Sequence, residues 1–314
     1  MTWVTWRQYR YQGALAAALL AALAVVLLIS GLHAAQVWHA ALAGCRTEHG
    51  CGSPSLSGPI LTTLLVATSA VPLLPGLFWG APMVAHELET GTNQFAWTQS
   101  ITRRRWLAVR AGWLLLAAAV LAGAVSALVT WWSGPNNALT LDGFEANRFD
   151  ITDIVPVSYA IFAMALGICA GALLRRTLPA LAVTLAGFAG LRVLIAQWLR
   201  LHYMTPVTVY YKLTGFYQPA GSYLGVSQGI VGANGKPPVG LSNYVFNGAP
   251  VPAVCVKALQ NPVPCMAAHG YRGYLAYQPA DRFWAFQGIE TGIFLVLAAV
   301  LLGVTFWVLR RRDA

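Results

Sequence analysis

Residues 84–110 read Val-Ala-His-Glu-Leu-Glu-Thr-Gly-Thr-Asn-Gln-Phe-Ala-Trp-Thr-Gln-Ser-Ile-Thr-Arg-Arg-Arg-Trp-Leu-Ala-Val-Arg. This polar, charged stretch separates two long apolar runs, and its reading decides the fold. A chain of 314 residues that is 57% hydrophobic and only 10% charged is far from a soluble domain, where about a quarter of residues carry charge. Crossing the hydrocarbon core takes roughly 20 consecutive apolar residues in a helix. Six stretches qualify: 13–35, 59–82, 107–132, 154–174, 178–199 and 286–309. The fold class expected is therefore an all-α polytopic membrane protein with six transmembrane helices.

Orientation follows from the arginines. Arg7 and Arg10 precede the first span, Arg103, Arg104, Arg105 and Arg110 lie between the second and third, Arg175 and Arg176 between the fourth and fifth, and Arg310, Arg311 and Arg312 follow the sixth. Positive charge clustered at short span ends marks the cytoplasmic side, which places both termini there. The same clustering accounts for the net charge of +10 without any nucleic acid as partner. The first apolar run is longer than a signal-peptide core, so it reads as an uncleaved span in the cell membrane.

The organisation expected is an interfacial helix over 1–12, a membrane domain over 13–200, an extracytoplasmic segment over 201–282, and a last helix with its tail over 283–314. Trp3, Trp6, Tyr9 and Tyr11 interleaved with Arg7 and Arg10 suit the lipid headgroup layer. Val207–Tyr211 reads as a strand and 232–238 as a turn, so the outer segment is small and strand-containing. The aromatic stretch 277–287 enters the interface before the last span, with a re-entrant helix as the alternative. Pro72 and Pro75 sit inside the second span, where they suit a kinked, pathway-lining helix and an ordinary membrane helix equally.

Several residues stand out. Gly167 and Gly171 form a GxxxG in the fourth span, and Gly187 with Gly190 is a looser small-residue pair in the fifth. Arg192 lies inside the fifth span, where an unpaired charge costs about 2.5–3.5 kcal/mol on insertion scales. Glu290 lies at comparable depth in the sixth, and an Arg192–Glu290 ion pair is expected. Of five cysteines, Cys45 with Cys51 and Cys255 with Cys265 fall as close pairs in outer loops, and two disulfides are expected in an oxidising compartment. Cys169, inside a span, reads as a small packing residue. The acids Asp142, Glu145, Asp150 and Asp153 match no EF-hand spacing and read as a solvated outer loop.

Catalytic chemistry is missing from this pattern. No Gly-x-x-x-x-Gly-Lys-Ser/Thr motif occurs, and the three lysines, Lys212, Lys236 and Lys257, all fall on the predicted outer side. His86-Glu87 is half of a zincin motif, but Thr90 stands where the second histidine is needed. No metal site and no enzyme activity are expected.

The run Glu87-x-Glu89-x-Gly91-Thr92, followed by Ser100-x-x-Arg103 and by Arg110 at the start of the next span, resembles the intracellular loop of ABC type 2 transporter permeases. Trp97-Thr98-Gln99-Ser100 and Tyr277-Gln278-Pro279-Ala280-Asp281-Arg282-Phe283-Trp284 further resemble an actinobacterial subgroup. The resemblance implies a type V exporter architecture. Two permease chains, alike or different, face each other, with an ABC ATP-binding subunit under each. ATP and Mg are bound by that partner, and this chain holds no cofactor. The coupling segment 84–110 carries Glu87, Glu89, Gly91, Thr92, Phe95, Trp97, Ser100, Arg103, Arg104 and Arg105, with 93–105 as the contact. Glu87 and Glu89 brace it against the interfacial helix through Arg7 or Arg10. Cargo is a hydrophobic or amphipathic compound (drug, antibiotic or lipid). The competing reading is a membrane sensor or immunity subunit whose outer segment binds a ligand with little transport.

Overall fold

The structure, a computed structural model, describes residues 21–32, 66–90, 103–140, 144, 146–213, 217, 219, 222–232, 234–235, 241–246, 249–258 and 261–311, with isolated positions 14, 18, 19 and 36. The expected interfacial helix over 1–12 and the Cys45–Cys51 pair lie outside these residues, as do Gly91, Thr92, Phe95, Trp97 and Ser100.

Two compact units emerge. The first holds the chain to Thr140, Ala146–Arg200 and Trp284 onward. Five of its helices are long and apolar enough to cross a membrane: α2 (Val66–Glu87, ending within the regular helix Ala81–Thr90), α3 (Arg103–Thr140), α5 (Val155–Leu174), α6 (Thr177–Leu194, continued to His202) and α8 (Phe283–Arg311). Of the first apolar run, Ala21–Leu32 is described as a shorter helix, α1. A single turn, α4 (Ala146–Phe149), precedes α5. Composition explains the helices: with no water to satisfy backbone polar groups, an apolar run closes its hydrogen bonds internally.

The helix α5 is central. Its apolar window is 72% buried inside the fold, against 22–44% for the other four spans, whose remaining surface is left for lipid. Pro156 sits in its first turn, where the missing N–H is no loss, and it ends at Arg175 in the left-handed conformation. Around it, Met83 and Val84 of α2, Ala111, Leu114 and Ala118 of α3, and Ala160, Met164 and Ile168 of α5 form the main apolar cluster.

The approach of α2 to α5 is set by glycine. A Cβ placed on Gly80 would lie 2.8 Å from the Met164 carbonyl oxygen, and one on Gly171 2.6 Å from that of Ala81. Gly76 and Gly167 face the opposing backbone still more closely. The two helices therefore touch backbone to backbone, which only small residues permit. The GxxxG of α5 serves α2. Gly187 of α6 meets just the Leu166 side chain, and Gly190 has open space around it. The prolines of α2 produce local changes of helix type, a 3-10 turn at Val71–Leu73 and a π-turn at Gly76–Gly80. The π-turn is where the glycines make their contact.

The second unit holds Leu141–Glu145 and Leu201–Phe283. Strands β1 (Val207–Lys212), β2 (Leu224–Val231) and β5 (Arg272–Gln278) form an antiparallel sheet in the order β1-β5-β2, with Val207 opposite Tyr277 and Leu224 opposite Gln278. Strands β3 (Leu241–Phe246) and β4 (Ala249–Pro252) pair separately. Cys255 and Cys265 are bonded, with Cα atoms 5.7 Å apart, beside the short helix α7 (Val263–Ala268). Positive φ at Gly235 lets the chain turn back toward Gly232. Over the stretch 277–287, β5 ends at Gln278, a 3-10 turn spans Ala280–Arg282, and α8 starts at Phe283. Arg282 fixes this turn by donating to the Thr205 carbonyl and to Gln278 Oε1, each at 2.7 Å.

Candidate functional site

Two places in the first unit concentrate charge. One surrounds the ends of the segment between α2 and α3. Glu87, near the end of α2, forms an ion pair with Arg110, one turn or two into α3, and both side chains are mostly buried. Glu89 Oε2 accepts from the Thr177 hydroxyl at 2.8 Å and from the Thr177 backbone N–H at 3.1 Å. The acid thus caps the start of α6 from another helix and satisfies one of the amides a helix start leaves open. These hydrogen bonds hold the Glu89 carboxyl below the usual carboxylate range, with His86 and Arg176 adding weaker help. The expected bracing of Glu87 and Glu89 through Arg7 or Arg10 falls on positions outside the described residues; the partners described are Arg110 and Thr177. Of the arginine triplet opening α3, the Arg105 side chain is described and is exposed.

The second place is a buried network at the junction of α4, α5, α6 and α8. Arg200 is 1% exposed and Glu290 fully buried. They meet as a two-pronged pair, Nε to Oε2 at 3.0 Å and Nη2 to Oε1 at 2.7 Å. Arg200 Nη2 also contacts Asp150 Oδ1. Arg192 donates to Asp150 Oδ2 through Nε at 3.2 Å and Nη2 at 3.0 Å, and its Nη1 donates to the Ser69 carbonyl of α2. The Tyr159 hydroxyl lies within reach of both acids, 3.3 Å from Asp150 Oδ1 and against Glu290 Oε1. Two guanidiniums face two carboxylates, so the formal charges cancel. Aromatic faces complete the shell: the Arg200 guanidinium stands 4.2 Å from the Phe149 ring centre and that of Arg192 5.1 Å from Tyr159. Below them Gln287 accepts from the Val155 N–H at 3.1 Å and donates to the Phe149 carbonyl at 3.2 Å, tying α8 to the α4–α5 junction.

The expected Arg192–Glu290 pair is corrected by this geometry. Arg192 takes Asp150, Glu290 takes Arg200, and Asp150 with Arg200 link the two halves. Asp150 is correspondingly no solvated loop acid, being 6% exposed. The reason is local. Eight residues separate Arg192 from Arg200, one more than the i, i+7 spacing that returns to one helix face. The π-turn Ile195–Leu199 takes up the extra residue and brings both arginines to the same side.

The model of the family described as ABC-2 membrane transporter related matches residues 17–200, more than half of the chain. The chain belongs to that family. Comparison with curated proteins and with solved structures found no match. Membership makes it an ABC-2 type permease, a multi-pass transmembrane subunit of the kind that works with an ATP-binding subunit. The match covers α1 to α5, the segment between α2 and α3, and α6 as far as Arg200. It ends at Arg200, just before Leu201–Phe283, the larger part of the second compact unit. In this ABC-2 permease, Asp150, Arg192 and Arg200 of the network fall inside the matched region and Glu290 lies beyond it.

Asp150 was read as a loop acid, and Arg200, Tyr159 and Gln287 were not singled out in the sequence. Asp150 and Arg200 lay at the edges of apolar runs, where charge is unremarkable. Tyr159 had a weak signal, as a hydroxyl inside an apolar run. Gln287 and Glu290 carried a stronger one, since polar residues at i, i+3 share a helix face.

Proposed function

We propose that the chain is the membrane-embedded half of an ATP-driven exporter, moving a hydrophobic or amphipathic compound out of the cell. A separate ATP-binding subunit supplies the force by gripping residues 93–105, and ATP and Mg belong to that partner. Two permease chains pair across the pathway, with both termini cytoplasmic. Phe95, Trp97 and the arginines 103–105 form the grip, and Gly91, Thr92 and Ser100 belong to the same coupling segment.

The observation that carries this reading is how the ends of the segment are fixed. Glu87 joins its start to Arg110 beyond its end, and Glu89 joins it to the start of α6. The glycine contacts make α2 and α5 move together. A displacement of residues 91–102 is thus passed to four spans and not absorbed in a slack loop. Three arginines at the positive end of the α3 dipole are locally unfavourable, which suits residues placed for an outside partner. Two packings separated by a few kcal/mol are enough for such a subunit to alternate between inward- and outward-open states.

The test is co-reconstitution with the ATP-binding subunit. Cargo-stimulated ATP hydrolysis is expected, and deleting Phe95 and Trp97 uncouples hydrolysis from transport while the chain still inserts. Unchanged transport by that deletion refutes the coupling role.

The second compact unit favours a further reading, a sensor or immunity subunit. Its own sheet and its Cys255–Cys265 bond give it a scaffold for a ligand. Saturable ligand binding without stimulated turnover selects that reading over export.

A further inference from the structure

We propose that the turn Arg175–Arg176 is a second docking point for an acidic surface of the ATP-binding subunit, beside the coupling segment; this rests on the reading above that such a subunit drives the chain. The starting observation is a backbone anomaly. Arg175 ends α5 with φ 57° and ψ 14°, the left-handed region usually left to glycine at this helix position. Its N–H donates to the Gly171 carbonyl at 3.0 Å and closes the helix, which glycine would do without strain. The arginine side chain is exposed, and among the described residues it makes no hydrogen bond or ion pair. A non-glycine residue held there against its preference points to a role for its side chain.

The surroundings give that role a direction. Arg176 follows in extended conformation and is also exposed. Leu174 and Leu178 flank the pair at 41% and 79% exposure, so the turn is a cationic tip on an apolar base. The next residue, Thr177, is the one held by Glu89. The turn is therefore tied directly to the root of the coupling segment. It is tied a second time through the backbone contact of α2 with α5, the helix that Arg175 terminates. The arginines therefore share a tie with Glu89, at the root of the segment the partner engages, and an acidic patch on that partner gains two charge contacts there.

A lipid headgroup is the other acceptor for an arginine at this depth. The backbone argues for the protein. Diffuse anionic headgroups are served by arginines in any orientation, and a glycine at 175 with Arg176 kept would satisfy them without strain. Fixing Arg175 by a left-handed residue beside a capped helix start is what a contact of defined geometry needs.

The experiment compares wild type, Arg175→Gly and Arg176→Gln in nanodiscs of phosphatidylcholine alone and with added phosphatidylglycerol. The melting temperature of each chain is measured. So is its affinity for the ATP-binding subunit that co-purifies with wild type. Arg175→Gly is expected to raise the melting temperature, since strain is relieved, and yet to weaken affinity about tenfold in both lipids, as loss of an interfacial charge contact does. Arg176→Gln weakens it in the same direction. Because Arg175→Gly stabilises the chain, its loss of affinity has no misfolding explanation. Affinity equal to wild type in both variants overturns the proposal and leaves the exporter reading intact. A loss confined to the anionic nanodiscs assigns the turn to lipid and also overturns it. If wild type itself binds no ATP-binding subunit, the proposal falls together with the exporter reading.

Discussion

Arg200 and Glu290, one at the end of α6 and the other in α8, meet prong to prong with hydrogen bonds of 3.0 and 2.7 Å. Both are buried, so neither charge has water to fall back on. Removing one member of such a pair leaves the other uncompensated and costs about 3–5 kcal/mol. Arg200→Met is expected to lower the thermal stability of the detergent-purified chain by that order. Adding Glu290→Gln to it should recover part of the loss, because a neutral amide is cheaper to bury than an orphaned carboxylate. Melting curves of the two single variants and the double variant check this; additive losses would argue against direct coupling.

Arg192 answers to a different acid. It donates twice to Asp150 Oδ2 and once to the Ser69 carbonyl. Arg192→Leu should be rescued better by Asp150→Asn than by Glu290→Gln, with a coupling energy of about 1 kcal/mol or more for the contacting pair. The opposite ranking in a double-mutant cycle would restore the Arg192–Glu290 pairing suggested by depth alone.

What was legible in the chain and what was not divides along physical lines. An apolar run long enough to span is a statement about composition, and the five long apolar helices appear where the last five of those runs lie. Arg192 was conspicuous because a charge inside such a run contradicts its surroundings. Its partner was not, because Asp150 stands among Asp142, Glu145 and Asp153 in a stretch that looks soluble, and only the tertiary fold buries it. Arg200 fell at a predicted span end, and bringing it into line with Arg192 required a π-turn, which apolar periodicity does not announce. The glycines show the same asymmetry. Gly167 and Gly171 were visible as a close-packing motif, but that their partner is α2, through Gly76 and Gly80, depends on backbone geometry. Glu87 and Glu89 were recognisable as a pair, while their partners Arg110 and Thr177 lay 23 and 88 residues away.

The glycine contact can be tested against an internal control. Gly171→Leu would press a side chain onto the Ala81 carbonyl, whereas Gly190→Leu in α6 meets open space. Overpacking a tight interface costs about 1–3 kcal/mol, and here the obstacle is backbone, which does not rotate away. Gly171→Leu is expected to reduce both the yield of folded chain and its melting temperature, with Gly190→Leu within about 0.5 kcal/mol of wild type. Equal damage from the two would remove the α2–α5 contact as the cause.

Glu89 supplies a pH-dependent prediction whose sign follows from its partners. The Thr177 hydroxyl and amide both donate to its carboxylate and hold its proton affinity below that of an exposed acid. The folded value therefore lies below the unfolded one. The contribution to stability is fully present above the unfolded value and is lost as pH falls through the folded value. Because Glu89 is solvent-exposed, the effect is local and is better seen in the contact than in global melting. Amide exchange at Thr177 is expected to be slow at neutral pH and to accelerate relative to a distant reference amide as the solution is made acidic. Glu89→Gln should abolish that relative change, since the amide does not titrate across the range. Thr177→Val, which deletes one of the two donors, should move the transition back toward the usual carboxylate range. A Thr177 amide whose relative exchange ignores pH in wild type would mean that Glu89 does not cap α6, and the end of α2 would lose its tie to that helix.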